Sequence, residues 1–285
     1  MSVRRTLPAY DVQMQEHLLK QPLPTQSVDQ IDPFLLLHHH RVDIEPESEP
    51  FREGVGPHPH RGFTPITFIY EGSLQHRDSR GNNSIVNAGG VQWMDVGMGI
   101  IHSERPPASF CATGGTQELI QVWVNLPARL KMIEPQYFAI QKDEMPEFAN
   151  HPDLHISSGT PTLEGPTGPI RSAYPLNAFH GKTTTENLVF EVPEGHQAFL
   201  YLLDGGGRIE GYGLAEALTM YELEPGKQTF FPSTPTKVLF LSGEPIQEKK
   251  ESYGPFVMNN QTQIMEAMRD YQMGKMGFLV EHDMP

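Results

Sequence analysis

Two short patterns in the first half of the chain carry residues that could do chemistry: "HPH", with His58 and His60 two apart, and "HSE", with His102 and Glu104 two apart. A β-strand points alternate side chains to one face, so each pair can aim both members into a single cavity. Two such strands bring three imidazoles and one carboxylate together, which is a metal-binding set. Imidazole suits several transition metals, and an added hard carboxylate favours higher coordination numbers. An N3O set leaves two positions open on an octahedral ion, one for substrate and one for dioxygen or water. Zinc accepts the same donors, but a tetrahedral zinc holding all four would be closed and structural. With 13 histidines in the chain, a single H-x-H is unremarkable; its combination with H-x-E is the signal.

These ligands need strands that return to one place. From about Gly62 to Leu126 short apolar runs alternate with turn clusters, as in "ITFIYEG", "DSRGNNS", "IVNAGGVQWM" and "LIQVWVNLP". This spacing predicts a sandwich or barrel. Pro59 cannot donate a ladder hydrogen bond, so "HPH" belongs on an edge strand or at a strand's start. Trp93, on the strand leading to "HSE", is a core residue that could also wall the cavity. Trp123 reads as core and Cys111 as a small buried hydrophobe. Arg61 is either a donor beside the ligands or a turn residue. The run His38, His39 and His40 reads as a strand with side chains on alternating faces.

A second, similar train runs from about Leu188 to Ser242, so the chain reads as an internal duplication. Matching Gly72 to Gly205 sets Glu191 and Pro193 against His58 and His60. Matching Trp93 to Phe230 sets Leu239 and Leu241 against His102 and Glu104. The second repeat is therefore expected to lack a metal set. The division is 1–140 for a metal-binding domain, 141–180 for a Pro- and Gly-rich connector with little regular structure, and 181–285 for a metal-free domain. The last of these ends in an amphipathic helix with Ile264, Met265, Met268 and Tyr271 at three- and four-residue spacing, Asn260 as N-cap and Gly274 as stop.

The chain has 285 residues, 26 Gly, 26 Pro and a formal net charge of -14. The Gly and Pro punctuation favours many short strands. The negative balance disfavours direct contact with nucleic acid or anionic membranes. One cysteine cannot form an intrachain disulfide, which fits a reducing compartment and makes the cytoplasm the default. No signal peptide or membrane span is read from the sequence, since "PFLLL" is far too short to cross a bilayer.

The segments "HPHRGF", "QWM…G.GIIHSE", "QVWVNLP…KMIEPQYF" and "YGPFVMN" resemble, in this order, the pirin family of the cupin superfamily. The resemblance implies an all-β bicupin: two cupin (double-stranded β-helix) barrels plus the C-terminal helix. It implies one divalent metal in the first domain only, usually Fe(II), with Zn, Mn, Ni or Cu as alternatives. The family's ligands fall on His58, His60, His102 and Glu104. Members commonly read "HPHRGFE", whereas this chain has Thr64, so a neutral hydroxyl is expected where relatives place a carboxylate near the metal. Met98 stands where many relatives carry a polar or basic residue.

Two functions follow from the resemblance. One is a quercetin (flavonol) dioxygenase with a small-molecule substrate, in which Glu104 is the catalytic base that takes the substrate's hydroxyl proton. The other is a non-enzymatic, iron-dependent redox-sensing regulator or transcriptional cofactor acting through a protein partner, in the cytoplasm or the nucleus. Open coordination positions favour the first.

Overall fold

The computed structural model describes residues 2–14, 17–162 and 165–281. The alternating apolar runs form strands as expected, and the chain divides into two compact units. One comprises residues 40–140 and 246–285, the other residues 1–39 and 141–245.

The unit that holds both ligand motifs carries a four-stranded sheet in the order Val55–His60, Ile100–Arg105, Ser73–Asp78, Asn83–Asn87. All three neighbouring pairs are antiparallel. Val55–His60 lies at the edge, where the missing N–H of Pro59 costs no ladder bond. Its second sheet contains the neighbours Gln136–Ile140, Val91–Asp95, Phe63–Glu71 and Gly115–Asn125. On the outer side of Ile100–Arg105, Ile101 packs with Phe256, Met258, Ile264, Ala267 and Met276. Three of these come from the C-terminal helix and the turn that follows it.

That helix spans Gln261–Gln272, and the Asn260 side chain accepts from the Gln263 N–H at 3.0 Å, the predicted N-cap. Ile264 and Ala267 face inward, while Met265 and Tyr271 are exposed. Gly274 follows at φ +71°, as a stop residue should. The helix is tied to its own unit by the buried Arg61, whose guanidinium pairs with Asp270 at 3.0 Å and donates from Nε to the Met98 carbonyl at 2.6 Å.

The other unit repeats the plan. Its four-stranded sheet runs Leu188–Val192, Gly226–Pro232, Gly206–Ile209, Gly213–Glu216. Its seven-stranded sheet begins with Val3–Pro8 beside Thr219–Leu223 and continues through Gln197–Leu202 and Lys237–Gly243. The interior is a hydrocarbon core of Leu188, Phe190, Phe179, Leu200, Phe230 and Phe240, among others.

The structure departs from the linear division in three places. Val3–Pro8 belongs with the second repeat, and the C-terminal helix belongs with the first. The segment 141–180 is not a bare connector, since His151–Ser158 and Leu176–Lys182 are paired strands. His151 and His155 are buried there, and a reading that scores histidine as polar does not see them as core. The repeat alignment also shifts by one strand. Strand order matches Ile100–Arg105 to Gly226–Pro232, whereas Leu239 and Leu241 lie on Lys237–Gly243, the counterpart of Gly115–Asn125.

Candidate metal centre

His58, His60 and His102 come together as the two-residue spacing requires. His58 and His102 are directly opposed in the antiparallel ladder. Ring centroids lie 4.8 Å apart for His58 and His60, 4.3 Å for His58 and His102, and 4.9 Å for His60 and His102. One ligand atom from each ring can be chosen so that all lie within 4.8 Å of one another. Among the described residues this is the only such group of His, Cys, Asp or Glu, so none is found in the second repeat.

The surroundings prepare these rings as ligands. Nδ1–H of His58 donates to the Gly56 carbonyl at 2.8 Å, which fixes the tautomer and leaves Nε2 with its lone pair. His102 is fully buried, and neither of its ring nitrogens has a hydrogen-bond partner. Burial pushes the His102 pKa well below the ordinary value, helped by His58, His60 and His76. His60 is pushed down by burial and by His58, against a smaller opposing effect of the Pro255 backbone. Neutral, desolvated imidazoles are what a divalent metal needs, and orphaned nitrogens in a native core call for a partner. The donor set fits a divalent metal.

Glu104 does not join the group. The register shifts between His102 and Glu104, so Glu104 pairs with Val55 on the edge strand. Its carboxylate accepts from Thr67 Oγ1 at 3.1 Å, from Gln121 Nε2 at 2.9 Å, and from Gln92 Nε2. It is buried, as are Thr67 and Gln92.

The opposite neighbour of the "HSE" strand brings in residues that the motif reading missed. His76 faces Glu104 and Asp78 faces His102 in the ladder. His76 lies 5.4 Å from His102 between ring centroids, stacks on Tyr137 at 4.0 Å and bonds to Asp78 through Nε2 at 2.9 Å. Asp78 also accepts from the Arg80 and Asn82 backbone and from the Asn82 side chain, so it is an anion and Nε2 of His76 carries the proton. The signal was present as "HRD", a third pair at two-residue spacing.

Alternation also sorts the wall residues. Thr67 and Gln92 face Glu104, so Thr64 and Trp93, an odd number of residues away on the same strands, face the other side of the sheet. Trp93 is therefore not a cavity wall. Trp123 takes that place, with its ring 5.4 Å from His60 and 4.4 Å from Phe63. Thr64 is buried and donates to Asp95 Oδ1 at 2.7 Å. The expected change beside the metal is thus a change on the far face.

Arg61 is a tie to the C-terminal helix, and Cys111 is buried as expected. Just beyond "HPH", Gly62 at φ +86° passes so close to the Val257 carbonyl that a side chain would collide with it. Buried Lys131 collects the carbonyls of Gly62 and Val257 at 2.8 and 3.0 Å and Asn125 Oδ1 at 2.6 Å, which fastens this turn. Burial lowers its pKa to about 7. Among the described residues no helix is long and apolar enough to cross a membrane.

Comparisons agree with this geometry. The family model for pirin matches residues 13–124, and that for the pirin C-terminal cupin domain matches residues 183–277. A pirin-like protein of Solanum lycopersicum is 33% identical over 271 residues, covering 92% of this chain and 87% of that protein. A Pseudomonas aeruginosa protein named "Putative quercetin 2,3-dioxygenase" is 33% identical over 252 residues, covering 86% of each. A crystal structure of quercetin 2,3-dioxygenase from Acinetobacter baumannii superposes with a TM-score of 0.88 at 32% identity, covering 98% of this chain and 99% of that one. The chain belongs to the pirin family, with its two cupin-type domains and its C-terminal helix.

Proposed function

We propose that this protein is a metal-dependent flavonol dioxygenase of the quercetin 2,3-dioxygenase type, using Fe(II) held by His58, His60 and His102 and, once its carboxylate leaves the Thr67, Gln92 and Gln121 donors, by Glu104. The observation that carries the reading is the three-histidine group, with His60 and His102 buried and both nitrogens of His102 lacking a protein partner. The likeness to a quercetin 2,3-dioxygenase over nearly the whole of both chains supports the substrate class.

A divalent metal at this site supplies Lewis acidity to a substrate's hydroxyl and carbonyl oxygens, and iron adds redox chemistry with dioxygen. The chain's own residues do the rest. His58 is oriented by the Gly56 carbonyl, and the desolvated His60 and His102 present neutral nitrogens. Phe63 and Trp123 form an aromatic wall beside His60 that suits a flat ring and sheds water from it. Glu104 is the acceptor for the substrate's hydroxyl proton, and Thr67, Gln92 and Gln121 place its carboxylate by donating to it. The acidic balance and single buried cysteine support a cytoplasmic setting.

The test is an anaerobic titration of iron-loaded protein with quercetin, followed by admission of oxygen. The proposal expects saturable binding and then loss of quercetin matched by oxygen uptake. Binding without any oxygen-dependent loss would contradict it.

A further inference from the structure

The turn after "HPH" is where a C-terminal segment joins the ligand strand. Arg61 and Phe256 form a parallel bridge: the Arg61 N–H donates to the Pro255 carbonyl at 3.3 Å, and the Val257 N–H donates to the Arg61 carbonyl at 3.0 Å. The ladder stops there, because Gly62 turns away at φ +86° and gives its N–H to the Gly97 carbonyl at 2.9 Å. Lys131 closes the junction instead. Its ammonium has three hydrogens and meets three acceptors, the Gly62 carbonyl at 2.8 Å, the Val257 carbonyl at 3.0 Å and Asn125 Oδ1 at 2.6 Å. The residue is 1% exposed, so water does not stand in for any of these bonds. A neutral amine has two hydrogens and would leave one acceptor without its donor, so the junction is built for the charged form. Desolvation works against that charge, and Glu248 supports it.

The junction reaches a metal ligand. Pro255 presents its carbonyl to Arg61, the chain neighbour of His60, and also lies near enough to the His60 ring to favour its protonated form, without closing a hydrogen bond to it. A histidine that binds a metal through one nitrogen donates from the other, and the acceptor it finds there sets the orientation of the ring. His58 has the Gly56 carbonyl in that place. We propose that Lys131 is a positioning residue for His60: by pinning Val257 to Gly62, it holds the Pro255 carbonyl where the His60 ring can donate to it when the other nitrogen binds a metal. Lys131 acts through two backbone segments and touches none of the three histidines. The inference rests on the metal reading above but needs no dioxygenase activity.

The test is Zn(II) affinity of the full chain, measured by competition with a chelator, in wild type, K131A, K131M, H60A and K131A/H60A, with each urea unfolding midpoint recorded separately. Losing a group that orients a metal ligand typically changes affinity by about 10- to 100-fold, so K131A is expected to bind Zn(II) about tenfold more weakly than wild type. Ammonium chloride, compared with tetramethylammonium chloride at the same ionic strength, is expected to restore most of that affinity in K131A, because a free ammonium ion can donate to the same three acceptors. It is expected to do nothing for K131M, whose thioether fills the space. In the H60A background, removing Lys131 is expected to cost no further affinity. Wild-type affinity in K131A and K131M, whatever their unfolding midpoints, would overturn the proposal, as would an equal loss in the H60A background or no rescue by ammonium. If K131A does not fold, Asn125→Leu takes one acceptor from the ammonium and is expected to weaken Zn(II) binding by a smaller factor; unchanged affinity there would overturn the proposal. Failure of quercetin turnover with these zinc results intact would remove the dioxygenase reading alone. A wild-type chain that binds no Zn(II) would overturn the metal reading and the role of Lys131 together.

Discussion

His58 and His102 face each other across two antiparallel strands, in direct register, with ring centroids 4.3 Å apart. One of the two strands lies at the sheet edge and the other inside the sheet, and the pairing brings an oriented imidazole against a fully buried one. The contact has a cost in the absence of metal, because neither nitrogen of the buried His102 has a protein hydrogen-bond partner. A buried polar group without a partner costs about 1–3 kcal/mol.

His102→Leu should therefore raise the unfolding free energy of the chelator-treated protein by about 1–2 kcal/mol, while abolishing metal uptake. With metal in excess the order reverses, because an ion at a hundredfold its Kd stabilises the wild type by about 2.7 kcal/mol. Urea unfolding with and without metal checks both halves. A variant less stable than wild type under chelation would show that His102 is a structural residue.

Thr64 sits on the face of its strand away from the histidines, hydrogen-bonded to Asp95. Thr64→Glu should cost about 3 kcal/mol or more, because it forces a second carboxylate against a buried one. Thr64→Val should cost about 1–3 kcal/mol, the loss of one hydrogen bond to a charged group, and leave metal affinity unchanged. Denaturation alongside metal titration separates the two effects. A large affinity change in the valine variant would contradict the assignment of faces.

Asp270 gives the fold a pH signature. Its pKa is lowered to about 2, first by the hydrogen bond from Lys275 and then by Arg61, against the opposing effect of burial. A carboxylate depressed in the folded state contributes stability that is fully present above the ordinary aspartate value near 4, and is lost as pH falls toward 2. Asp270→Asn should cost about 2 kcal/mol at pH 7, and the gap should narrow as pH drops from about 4 to about 2. Equal gaps at pH 7 and pH 3 would mean that the ion pairs contribute nothing.

The site was legible where its residues obey one strand's alternation. His58, His60 and His102 required only the two-residue spacing and a β setting, and the structure brings them together. Glu104 obeys the same spacing, yet the register shift after His102 turns it toward two glutamines. A bulge is set by pairing across strands and leaves no mark in a local motif. Gln92 and Gln121 were unreadable for a related reason, since a strand glutamine means little until its cross-strand partner is known. Thr64 was misplaced because nearness to "HPH" in sequence was taken for nearness in space, although the strand starting at Phe63 presents alternate residues to opposite faces. The fold class was carried by turn punctuation. Strand Val3–Pro8 was not, because its partner Thr219–Leu223 lies at the other end of the chain.

If His58, His60 and His102 hold one divalent metal, it is visible in metal analysis of protein purified without added metal. Close to one divalent ion per chain is expected, with iron dominant, removed by chelation and absent from a His58→Ala/His102→Ala variant that still folds. Metal content well below one per wild-type chain after incubation with Fe(II), or undiminished content in the folded double variant, would contradict it.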